Sequence, residues 1–240
     1  EGMASVRQAY GEPEAAFDSC KGFTWYVYKQ NTPELTLFGE KNGAITEFFT
    51  ISDTISLQGA PLASVDNLET TRSMPLIEEF HDEIDGRRGG FYFSTQGSGN
   101  WEYDLSRSGE EIAAAESHLA FLVTNGLRVK YGITQPLLWD AAAAEASRKH
   151  CADMREHDYF DHTGLDGSKP SERYLNEAGA VSWQKIGDNL ALNKNAFSAC
   201  FAWLNSPPHR ECMFDDSYQW LGVGADYTKR KQRSNYYGQI

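Results

Sequence analysis

The sequence lacks what a membrane or nucleic-acid protein needs. Its longest uninterrupted apolar run, Ala199–Leu204, falls far below the roughly 20 residues of a membrane-crossing helix, so an integral membrane protein is not expected. Basic charge is scarce: 22 Lys and Arg stand against 34 Asp and Glu, for a net charge of −12. Phosphate binding takes clustered cations, so nucleic acid is not an expected partner. Cysteine is limited to Cys20, Cys151, Cys200 and Cys212. No CxxC pair occurs, which disfavours a zinc ribbon or a thioredoxin-type centre. Cys200 and Cys212 flank one local segment and could pair; buried thiols are the other reading. HExxH, GxSxG, GxxxxGKS/T and GxGxxG are all missing. That removes the commonest zinc-protease helix, the serine-hydrolase elbow and the usual nucleotide loops. The opening Glu1-Gly2-Met3-Ala4 holds no basic-then-apolar leader and leaves export open.

What is present describes an ordinary globular chain. It has 240 residues, of which 40% are hydrophobic and 23% charged, enough for one or two domains. Glu1–Glu110 carries 18 acids and 8 bases, whereas Glu111–Ile240 carries 16 and 14. The resulting net charges, −10 and −2, suggest a boundary near residue 108.

The first half reads as β-rich. Phe23–Tyr28, Leu35–Phe38 and Ala44–Phe49 are aromatic and β-branched runs, and Asn42-Gly43 is a hairpin signal. Val6–Tyr10 reads as a short helix stopped by Gly11-Glu12-Pro13. Gly59-Ala60-Pro61 echoes that tripeptide, and Gly90–Ser94 is a later aromatic strand. Two copies of a small α+β unit would explain the echo, as would chance. Gln96–Asn100 reads as a loop and Ser106–Gly109 as a linker.

The second half reads as helical, with closing strands. Ile112–Lys130 places Leu119, Leu122, Val123 and Leu127 on one face. Asp140 caps a helix expected to run to Glu156, with Ala142, Ala146 and Met154 in its buried stripe. Pro170 opens a helix that ends at Gly179, and Ala196–Leu204 is a helix broken by Pro207-Pro208. Leu221–Tyr227 and Ser234–Ile240 read as strands, joined by the basic run Lys229–Arg233 as a solvated loop.

Two of the six histidines have suggestive settings. His162 lies in the loop Tyr159–Gly164, and His209 follows the stiff break Asn205-Ser206-Pro207-Pro208. A stiff loop holds an imidazole in one orientation, and imidazole both titrates near neutrality and binds metals. His81 and His118 read as surface residues, His150 and His157 as packing or solvated ones, and Trp139 and Trp203 as core. Arg128 and Arg173 read as loop ties.

Seven segments in order carry a resemblance. They are Asn125–Arg128, Pro136–Asp140, His150–Met154, Phe160–Gly164 with Pro170–Arg173, Gly187–Ala191, Trp203–Arg210, and Gly222–Gly224 with Tyr236–Gln239. Together, from about Leu119 to Ile240, they resemble the CAP superfamily, the SCP-like extracellular domain, in its bacterial form. Residues 1–108 resemble the CAP-associated N-terminal domain of Gram-positive bacteria. The resemblance implies an α+β protein: a three-layer α-β-α sandwich over 109–240, preceded by a separate β-rich α+β domain.

It also implies a cleft lined by two histidines and two acids. His162 and His209 fall on the histidine positions, and Asp188 falls where the family usually has Glu. The second acid position falls on Ser206, so that carboxylate is missing and Asp188 is one methylene short. The expected function is therefore a secreted or cell-surface module whose cleft binds a small molecule, lipid or peptide, with wall contact through residues 1–108. Zinc held by His162 and His209 is a further expectation. The alternative is a peptidase-like hydrolase in the same cleft, either metal-dependent, with His162, His209 and Asp188 as three zinc ligands, or histidine-assisted, with Asp188 orienting the ring and Ser206 the nearby hydroxyl. A purely structural His–Asp bridge is the third reading.

Overall fold

The computed structural model describes residues 2–54, 56–57, 60–61, 76–95, 103–104, 106–227 and 235–240. The expected loop Gln96–Asn100 and the basic run Lys229–Arg233 lie outside the described residues, as does Gly59 of the echo.

The first half begins with α1 (Met3–Tyr10) and continues with β1 (Ala15–Asp18), β2 (Thr24–Tyr28), β3 (Thr36–Lys41) and β4 (Ala44–Thr50). A small hairpin of β5 (Ser56–Leu57) and β6 (Ala60–Pro61) follows, then β7 (Leu76–Asp82) and β8 (Arg87–Ser94). Six of these strands form one antiparallel sheet in the order β1-β2-β3-β4-β8-β7. The Asn42-Gly43 signal makes the expected hairpin, both residues taking the positive φ that a primed turn requires. Gly11-Glu12-Pro13 closes α1 whereas Ala60–Pro61 stands in a strand, so the two tripeptides occupy different settings.

The second half supplies α2 (Gly109–Lys130), β9 (Leu138–Trp139), α3 (Ala141–His157), α4 (Pro170–Ala178), β10 (Asn189–Asn193), α5 (Ala196–Leu204), α6 (Pro207–Met213), β11 (Trp220–Leu221), β12 (Val223–Asp226) and β13 (Asn235–Gln239). Local chemistry sets the helix ends. Ser108 and Glu111 form a reciprocal capping box on α2. Asp140 accepts the Ala143 N–H at 3.0 Å, and α4 stops at Gly179. The buried stripe of α3 runs through Ala143, Ala146, Ser147, His150, Cys151 and Met154, so Ala143 takes the place expected for Ala142.

The antiparallel sheet β10-β13-β12 lies between α3 on one side and α2 with α5 on the other. Gly222 and Gly224 let β12 touch α3, because a Cβ at either would stand 2.0 Å from a helix backbone nitrogen. This is the expected three-layer sandwich. The outer side of α2 and α5 then meets the six-stranded sheet. Phe197 stacks on Phe49 with ring centroids 4.0 Å apart, and Phe201 on Phe80 at 4.4 Å. One hydrophobic cluster contains Trp25, Leu35 and Phe49 from the first half together with Leu119, Phe197 and Trp203 from the second. The core thus runs across residue 108. Buried polar ties cross it too: the Lys21 ammonium donates to Glu116 at 3.0 Å, and Lys130 donates to the Ile51 carbonyl at 2.6 Å.

The structure corrects several side-chain expectations. All four cysteines are free. Cys200 faces α2, donating to the Ala120 carbonyl, while Cys212 sits on α6 against Gly187, so the two do not pair. Trp139 is 41% exposed rather than core, with only its edge against Phe121, while Trp203 is fully buried as expected. His118 is half-buried against the Phe17 ring.

Phe197 carries apolar area shared by both halves. Phe197→Ala is expected to destabilise the protein by about 3–5 kcal/mol through lost burial and the cavity left behind. Urea unfolding followed by both near-UV and far-UV signals should move as one transition; a second half that unfolds at its wild-type midpoint would contradict the shared core.

Candidate functional site

The site forms where three segments of the second half meet. The loop after α3 carries His162, the extended approach to β10 carries Asp188, and the first turn of α6 carries His209. His209 therefore stands on a helix rather than a stiff loop. Pro207 and Pro208 end the preceding chain direction and also open α6, since a first-turn proline has no N–H to lose.

His162 donates from Nδ1 to Asp188 Oδ2 at 2.9 Å, which leaves Nε2 free in the neutral ring. The His162 and His209 ring centroids are 6.4 Å apart, so the two imidazoles and Asp188 do gather. Asp188 is nearly buried while the His162 side chain is 54% exposed. Arg173 fixes the histidine loop by donating to the carbonyls of His162 at 3.0 Å and Ser168 at 2.9 Å, with its other arm 3.6 Å from Asp188. Arg173 is thus the loop tie expected of it. His150, buried in α3, hydrogen-bonds through Nε2 to the Asp161 carbonyl at 2.8 Å and props the same loop from beneath.

Ser206 is not brought into this set. Its carbonyl accepts the Arg210 N–H at 2.8 Å, and its hydroxyl bonds to neither histidine. Among the described residues the group holds an imidazole oriented by Asp188, with no hydrogen bond from the Ser206 hydroxyl to it. A three-ligand zinc centre does not fit either: among the described residues no three His, Cys, Asp or Glu side chains gather as metal ligands.

Sequence reasoning missed two further features. One is the grip of the first half on α6. Arg210, next to His209, pairs with Asp82 at the end of β7 at 3.0 Å and with Asp85 in the β7–β8 turn at 2.6 Å. Asn205 accepts the Glu83 N–H at 2.9 Å and donates to the His81 carbonyl at 2.8 Å. The other is a cavity of about 640 Å³. Neither histidine nor Asp188 lines it; Gly187 and Asn189, on either side of Asp188, do. Alternation along extended chain turns Asp188 toward the histidines and its neighbours toward the cavity. A Cβ at Gly187 would meet the Cys212 sulfur and the Tyr218 hydroxyl at 2.5 Å, so this crossing requires glycine.

The electrostatics separate the two histidines. The hydrogen bond to Asp188 raises the His162 pKa above its usual 6.5 despite burial. Burial lowers that of His209, and the neighbouring His162 charge lowers it further. NMR titration should show His162 protonating at higher pH than His209. In Asp188→Asn the His162 value should fall; unchanged titration would show that the pair does not exist in solution. The sign for stability follows. The His162 contribution is full below about 6.5, the unfolded value, and is lost as pH rises through the raised folded pKa, so Asp188→Asn should lack that slope.

Comparison with known proteins identifies the family of the second half. The profile of the CAP family, described as the cysteine-rich secretory protein family, matches residues 121–240. YlbC of Bacillus subtilis, described as an uncharacterized membrane protein, is 26% identical over 92% of this chain and 77% of its own. YkwD of the same organism is 29% identical over 47% of this chain, which spans 43% of YkwD. An extracellular SCP-domain protein from Bacillus anthracis superposes over 100% of this chain and 92% of its own, with a TM-score of 0.77 at 17% identity. A cysteine-rich secretory protein from Staphylococcus aureus superposes over 100% of this chain and 89% of its own, with a TM-score of 0.70 at 14% identity.

Proposed function

This chain belongs to the CAP family, and from that premise we propose that it is a secreted or cell-envelope binding module of a Gram-positive bacterium rather than a hydrolase. The observation that carries the reading is the cavity of about 640 Å³ opening beside the His162–Asp188 pair. Its volume lies within the range typical of small-ligand sites. Its walls come from α2, α3, α4, the 182–187 loop, β10, α6, the 217–221 segment and β13. A preformed cavity captures a ligand without a large ordering cost.

Placement outside the cell is consistent with the extracellular SCP-domain protein that shares the fold. Among the described residues no helix is long and apolar enough to cross a membrane. Contact with the cell wall through the acidic first half belongs to the same proposal.

The hydrolase alternative draws on one observation, the imidazole oriented by Asp188. No hydrogen bond between the Ser206 hydroxyl and either imidazole supports it among the described residues. In the binding reading, the His–Asp pair braces the cavity's edge and leaves one imidazole nitrogen for contact.

Native mass spectrometry of protein purified from its own host is expected to show a small retained molecule that denaturation releases; a bare polypeptide mass would sink the reading. Wild type and His209→Ala should give the same background trace on a peptide library. Turnover by the wild type that the variant loses would install the hydrolase instead.

A further inference from the structure

We propose that the cavity is a site for a neutral saccharide. The inference rests on the ligand-binding reading above and names the ligand's chemical class. Two exposed indoles line the cavity: Trp183, 45% exposed, on the loop after α4, and Trp220, 55% exposed, on β11. Tyr174 and Tyr218 also line it. An indole left in water at a cavity wall offers a flat, electron-rich face, and the C–H face of a sugar ring carries the complementary partial charge.

The polar lining is neutral and bifunctional. Gln184, Gln219 and Gln239 contribute amides, which donate and accept at fixed angles, as ring hydroxyls require. Asn189 supplies an independent sign of a missing partner. Its side-chain nitrogen is committed to the His209 carbonyl at 3.2 Å and to Gln239 Oε1 at 3.3 Å, while Gln239 donates to Thr124 at 2.7 Å. A carbonyl only accepts, so the Asn189 amide cannot be turned around. Its Oδ1 is left with no partner among the described residues, in a side chain whose residue is 2% exposed. A buried acceptor without a donor is costly, and a ligand hydroxyl or amide N–H would provide one.

Other ligand classes fit less well. An anion would want a free cation, but Lys185, which lines the cavity, is paired with Asp215 and lies over the Tyr218 ring. An acyl chain would strip water from the amides and return nothing to them.

The test uses the full chain with β-1,4-linked tetramers of N-acetylglucosamine and of glucose, and with palmitate as the lipid probe. Saturable quenching of tryptophan fluorescence by a tetramer is expected, with the Trp183 and Trp220 indole N–H resonances shifting in the wild type. Trp183→Ala and Trp220→Ala should each weaken Kd about tenfold. Trp139→Ala, exposed but outside the lining, should leave it unchanged. The proposal is overturned by the absence of saturable binding to both tetramers, or by shifts confined to other tryptophans. Palmitate binding without saccharide binding would overturn the saccharide while leaving the binding-module reading intact. A bare mass from host-purified protein would remove that reading instead. The resonance shifts need no variant, so a poorly folded substitution does not blunt the test.

Discussion

Helix α5 has almost no solvent face. Of its nine residues only Ala202 is exposed, while Phe197, Cys200, Trp203 and Leu204 are buried. A helix that is apolar all round must be covered all round. Here α2 and β10 cover it on one side, and the six-stranded sheet covers it on the other. Placing β10 against α5 sets where Asp188 stands, and ending α5 at Leu204 sets where α6 and His209 begin. The two halves of the chain are therefore joined by apolar burial on the element that also positions the candidate site. Phe197 and Phe201 are the contact surface of that junction, and the paired glycines of β8 make room for it. A Cβ at Gly89 would meet the Phe201 ring at 2.4 Å.

That junction gives the first half a role its composition does not suggest. Its acidity includes Asp82 and Asp85, and these two carboxylates meet Arg210 on the helix that carries His209. Burial pushes the Asp82 pKa upward, but hydrogen bonds from Tyr131, the Asp85 backbone and Arg210 outweigh it and hold the carboxyl below its usual range. The contribution of this ion pair to stability is then present above the unfolded Asp value and is lost as pH falls through the lowered one. In the folded chain these two carboxylates act as a clamp on α6.

Much of the fold was legible because its signals are local. Asp140 as a cap, Pro170 as a helix opener, Gly179 as a stop and Asn42-Gly43 as a hairpin each act through neighbouring backbone. The gathering of His162, Asp188 and His209 came from resemblance, since nothing in their spacing places residues 26 and 47 positions from His162 beside it. What was missed is non-local or ambiguous. The strand β10 is five residues long and too short to declare a period. Pro207-Pro208 reads equally as a break and as the start of a helix, and it is both. The Cys200 and Cys212 spacing invites pairing, but the buried face of α5 points Cys200 at α2. The cavity draws on the 182–187 stretch, which has no periodicity, so nothing local singles out its Trp183.

The two arginines around α6 show why this short helix can serve as a mount. Seven residues beginning with two prolines give few internal hydrogen bonds, and such a helix is marginal by itself. Arg128, fully buried in α2, donates to the carbonyls of Met213 at 2.6 Å and Asp215 at 2.9 Å, satisfying acceptors at the helix's C-terminal end. Arg210 holds its outer face to the end of β7 and the β7–β8 turn. Arg128 ties α6 to the sandwich and Arg210 ties it to the first half, so α6 is fixed by both halves at once. His209 directly precedes Arg210, and its carbonyl accepts from Asn189 in the cavity wall. That hydrogen bond joins the cavity wall directly to the residue that carries the second imidazole.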